Sequence, residues 1–128
     1  MIVVSALVAA EVRPRSNYAP GRYDVIRDLF FTNRPYLKMV GLSPRIADLA
    51  TAIGGEHNAI TVPDAIHIAT AWAEQVGVFY THDGKPDRER RRSGQLLFYD
   101  GKIGQPPLKI ELPVMPENTQ LGLPEPEP

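Results

Sequence analysis

Residues 61–83, TVPDAIHIATAWAEQVGVFYTHD, leave the fold little freedom. Thr61 is a capping residue, and Asp64 follows three positions later in a variant of the capping box. Ala65, Ile68, Ala69, Trp72 and Val76 recur at helical spacing and predict one core stripe. Asp64, His67, Ala71 and Glu74 fall on another face. Gly77 is the expected C′ residue. Val78 to Thr81 is then a short apolar run of the kind enclosed in a parallel sheet, with Asp83 just beyond it. A capped helix feeding a buried strand predicts an α/β architecture. One acid opens the helix and another closes the strand.

The flanking chain fits that architecture. Ile2 to Val4 is a β-branched run, Ser5 a helix cap, and Ala6 to Val12 a helix carrying the single charge Glu11. Arg22 to Thr32 reads as a helix buried through Tyr23, Ile26, Leu29 and Phe30. Tyr36 to Val40 reads as a strand. Ser43-Pro44 starts a helix whose face is Ile46, Leu49, Ala50 and Ile53, and which Gly54-Gly55 should end. After the charged loop 84–94, Gln95–Tyr99 and Lys102–Gly104 around Asp100-Gly101 read as a hairpin. Leu108 to Leu112 reads as a last edge strand. This order predicts a parallel sheet flanked by helices.

A chain of 128 residues buries one core. The domain is read over residues 1–112. Residues 113–128 form a proline-rich acidic tail, expected to be extended or disordered. The formal net charge of −1 excludes nucleic-acid binding driven by overall charge and leaves local patches. The absence of cysteine excludes disulfides, thiolate zinc sites and cysteine nucleophiles, and suits a reducing cytoplasm. No apolar run reaches the ~20 residues of a membrane span. MIVVSALVAAEVR lacks a positive n-region and is interrupted by Glu11, so it reads as structure, not as a leader.

Capping alone accounts for Asp64, worth about 1 kcal/mol, and turn chemistry for Asp83. Their joint position is more informative, because ligands of open α/β sheets bind beyond the carboxyl ends of the strands. Glu11 is the third candidate; the alternative is a surface glutamate beside Arg13 or Arg15, and the pattern leaves both open. Carboxylates without thiolates select Mg²⁺ or Mn²⁺, ions that serve phosphodiester hydrolysis. Lys85, Arg88, Arg90, Arg91 and Arg92, with Arg13 and Arg15, could hold a phosphate backbone; the bland alternative is a solvated loop. His67, one turn after Asp64, reads as a polar helix residue with one hydrogen bond, or as a side chain holding a carboxylate.

VPDAIHIATAWAEQVGVFYT resembles the C-terminal half of a PIN domain through its DAIHIATA run and the strand ending in THD. IVVSALVAAEVR resembles the family segment in which a short strand leads into a glutamate-bearing helix. The two bracket residues 2–112. The resemblance implies a Mg²⁺- or Mn²⁺-dependent ribonuclease, with VapC-type toxins of toxin–antitoxin pairs among its relatives. It carries over Glu11 as the helix glutamate, Asp64 as the motif aspartate and Asp83 as the acid after the strand. RNA, an antitoxin protein and a second copy of the chain are the partners it implies. The family also has an aspartate-bearing strand and a helix ahead of the segment matched at Ile2. The expectation is thus an N-terminally truncated PIN-like domain short of one carboxylate. A shortened chain, a degenerate RNA- or protein-binding member, and a strand supplied by another chain all remain open.

Overall fold

The computed structural model describes residues 1–12, 17 and 19–114. Arg13 and Arg15 lie outside these residues, as does the tail from residue 115 onward.

Strand β1 (Ile2–Ser5) runs directly into helix α1 (Ala6–Glu11). The hinge is Ser5, 6% exposed, whose Oγ accepts the Leu7 N–H at 3.2 Å and so caps the helix as the strand ends. Helix α2 (Arg22–Phe31) starts at Gly21, whose φ of 80° a side chain would strain. The expected stripe is only partly realised there. Tyr23, Ile26 and Phe30 are half-buried, Leu29 is exposed, and α2 buries no residue fully. Strand β2 (Leu37–Val40) lies parallel to β1, from Ile2 opposite Leu37 to Ser5 opposite Val40.

Helix α3 (Pro44–Glu56) is capped by Ser43, whose Oγ accepts the Ile46 N–H at 3.2 Å. It passes through Gly54-Gly55, which were expected to end it; the Ile53 carbonyl still receives the His57 N–H at 2.9 Å. Glycine weakens a helix by only about 1 kcal/mol, less than packing of the buried Ile46 and Ala50 supplies. Helix α4 (Val62–Ala73) packs against α3 and β1. Ala65, Ile68 and Ala69 are buried as predicted, whereas Trp72 and Val76 are half-buried and Ala71 is buried instead. The left-handed residue just beyond the helix is Gln75, with φ of 55°, and not Gly77. The Ala71 carbonyl is closed by the Val76 N–H at 3.1 Å.

Strand β3 (Val78–Tyr80) pairs in parallel with β4 (Lys109–Glu111), Phe79 opposite Ile110. β3 is not enclosed: Tyr80 is 59% exposed. Among the described residues there is no single sheet. β1–β2 and β3–β4 form two separate parallel pairs, which corrects the expectation of one parallel sheet.

The expected hairpin is also absent. Leu96–Tyr99 forms a 3₁₀ turn, followed by a looped segment that returns to β4. Leu96, Leu97 and Tyr99 are all buried in one core, which the alternating faces of a strand could not achieve. Asp100 anchors the return, its Oδ1 accepting the Ile110 N–H at 2.9 Å. The centre of the core is Ile68, Leu97 and Ile110.

Candidate active site

Asp64 occupies the first turn of α4, where its N–H donates to Thr61 Oγ1 at 3.4 Å. Partial burial pushes its carboxyl above the ordinary aspartate range. The Thr61 hydroxyl pulls it back, the Asp83 charge raises it, the His67 ring lowers it, and the Glu11 charge adds the smallest upward push. These couplings bring all three predicted acids into one electrostatic neighbourhood.

Asp83 follows β3 by three residues. Its N–H donates to Thr81 Oγ1 at 3.1 Å, and its Oδ2 accepts the Leu96 N–H at 3.0 Å. Its carbonyl accepts the Leu97 N–H, also at 3.0 Å. Asp83 therefore fastens the 3₁₀ turn, while its charge acts on Asp64.

Glu11 is the last residue of α1, and its Oε1 stands 2.5 Å from His67 Nε2. The Glu11 side chain turns toward α4; Arg13 and Arg15, its alternative neighbours, lie outside the described residues. His67 is the residue that sequence reasoning undervalued. The available signal was its place one helical turn after Asp64, on the same face.

Among the described residues, no three Asp, Glu or His side chains converge tightly enough to form a ready-made ion cage. The donor chemistry nevertheless fits a hard cation: oxygen donors, no thiolate, and like charges that raise the Asp64 carboxyl.

The basic loop is partly committed elsewhere. Arg88 pairs with Asp100 at 3.1 Å, and Arg90 with Asp87 at 3.6 Å. Arg91 donates from Nε to the Lys85 carbonyl at 2.8 Å and from Nη1 to the Leu97 carbonyl at 3.4 Å, a structural role. Lys85 and Arg92 are exposed and form no ion pair among the described residues. Asp87, another acid of this loop, caps the 3₁₀ turn Arg88–Arg90 by accepting the Glu89 N–H at 3.0 Å.

The fold is α/β, with one acid at a helix start, one just beyond a strand and a glutamate at the end of a helix. The PIN domain family model matches residues 1–91, and the chain belongs to that family. PIN domains are generally divalent-metal-dependent nucleases that commonly bind RNA or antitoxins. No curated protein and no solved structure matches the chain. No helix among the described residues is long and apolar enough to cross a membrane.

Proposed function

We propose that the chain is a metal-dependent endoribonuclease, the toxin component of a toxin–antitoxin pair, acting in the cytoplasm. The observation that carries this reading is the PIN family match over residues 1–91, which spans an acid at the start of α4, an acid just beyond β3 and the glutamate that ends α1. Oxygen donors whose like charges act on Asp64 favour a divalent cation, Mg²⁺ or Mn²⁺ by donor chemistry. Glu11, Asp64 and Asp83 would hold it. When bound, such a cation stabilises charge on phosphate oxygens and acidifies water.

The chain's own residues supply position and charge. Thr61 fixes the α4 start and thereby Asp64. The Leu96 amide fixes one oxygen of Asp83 and leaves the other for a ligand. Lys85 and Arg92, with the exposed guanidinium groups of Arg88 and Arg90, would steer the RNA backbone. Arg13 and Arg15 remain candidates for the same task. An antitoxin protein and a second copy of the chain are the partners proposed.

The test is Mg²⁺-dependent cleavage of single-stranded RNA by the wild type and by Asp64→Asn and Asp83→Asn. The reading requires cleavage by the wild type and its loss in both variants. Full activity in both variants would sink the site assignment.

A second reading is a catalytically degenerate PIN-like module that binds RNA or protein. It is favoured by the acids' lack of tight convergence and by the engagement of Glu11 and Asp83 in protein contacts. Salt-sensitive RNA binding without Mn²⁺ binding would select it.

A further inference from the structure

Glu11 poses a mechanical problem. It ends a six-residue helix with no buried residue, and Val12 beyond it is already extended. A flexible side chain in that position loses its orientation unless something holds it. The only hydrogen-bond partner of its carboxylate among the described residues is His67 Nε2, at 2.5 Å. The His67 side chain is 13% exposed, against 51% for Glu11. It projects from the interior of α4, whose neighbours Ile68 and Ala69 are fully buried. A carboxylate oxygen only accepts, so the ring must present its hydrogen on Nε2. Among the described residues His67 Nδ1 is buried without a partner, and Glu11 is the ring's one polar contact.

We infer that His67 is a positioning residue, fixing one oxygen of the Glu11 carboxylate so that its second oxygen is free to receive a cation. The inference rests on the cation site proposed above. The ring acts from outside the ligand set: partners of this kind orient ligands, and removing one typically weakens metal binding about 10- to 100-fold. Leucine at position 67 would keep the packing and remove the donor. Glutamine would keep an N–H donor at comparable reach.

The experiment has a metal arm and a metal-free arm. Mn²⁺ affinity is measured by electron paramagnetic resonance for the wild type, His67→Leu and His67→Gln, with thermal melting to follow the fold. His67→Leu should bind about 10- to 100-fold more weakly, and His67→Gln should recover most of the loss. Wild-type affinity in His67→Leu, or no rescue by His67→Gln, overturns the inference. In the metal-free arm, the ¹⁵N ring signals of His67 should show an Nε2–H form that shifts on Glu11→Gln. Unchanged ring signals would mean that the contact does not exist, which also overturns it. A wild type that fails to bind Mn²⁺, with ring signals still responding to Glu11→Gln, removes the cation-site reading and the inference with it. The contact itself would stand.

Discussion

Asp83 Oδ2 accepts the Leu96 N–H at 3.0 Å, so a carboxylate whose charge acts on Asp64 also fastens a buried turn. Leu96 and Leu97 are 4% and 1% exposed, and the Leu97 N–H donates to the carbonyl of the same aspartate. The proposed site and the core are joined at this residue.

Substitutions at Asp83 should therefore separate stability from activity. Asp83→Asn keeps an acceptor for Leu96, and urea unfolding should show little change. Asp83→Ala leaves a partly buried N–H unsatisfied and should lose about 1–3 kcal/mol. RNA cleavage should fail in both. Equal stability of the two variants would contradict the anchoring role.

Asp64 makes stability depend on pH in a defined direction. Its folded carboxyl is raised above the ordinary value of 3.8, mainly by burial. The folded state thus holds the proton more tightly than the unfolded state. This contribution is fully present below the ordinary value and is lost as pH rises through the folded one. Asp64→Asn removes the titration. Relative to the wild type, the variant should gain stability as pH rises from the acidic range to neutrality, as read from urea midpoints.

Two glycines should respond oppositely to alanine. Gly104 has φ of 85°, and an added Cβ would lie 2.3 Å from Trp72 Nε1. Gly104→Ala should destabilise by about 1–3 kcal/mol. Gly54 lies inside α3 with open space around its Cβ position. Gly54→Ala should stabilise by about 0.4–1 kcal/mol. Thermal melting of both variants measures the difference.

The basic loop divides into residues that hold the fold and residues free to hold RNA. Lys85→Ala and Arg92→Ala should weaken RNA binding across sequences, each lowering the salt slope by about 0.7 for a single strand. Arg91→Ala should instead destabilise the fold by about 0.5–1.5 kcal/mol, since it removes the guanidinium from the exposed Lys85 carbonyl and the part-buried Leu97 carbonyl. Filter binding at several salt concentrations and urea unfolding separate the two classes.

Local chemistry was legible in the sequence. Ser5, Ser43 and Thr61 cap the three helices they were expected to cap, because a cap is decided within three residues. The Leu96–Tyr99 turn was not legible: Asp-Gly signals a turn but not whether strands flank it, and three side chains entering one core decided otherwise. The left-handed residue beyond α4 moved from Gly77 to Gln75 because tertiary packing sets where a chain leaves a helix. The acids were nameable from residue type and position. The hold of His67 on Glu11 was not, because 56 residues separate them and no local pattern encodes the contact. Strand pairing is equally long-range, and the division into two pairs was not foreseeable from strand signals.

That division has a colloidal consequence. Each strand is paired on one side only among the described residues, and Ile2 and Tyr80 lie 58% and 59% exposed on β1 and β3. Open ladders with apolar side chains are templates for pairing with another chain. A formal net charge of −1 gives molecules little mutual repulsion. The concentration at which this protein stays dispersed should therefore be governed by strand edges, and raising ionic strength should change it little, since there is little net repulsion to screen.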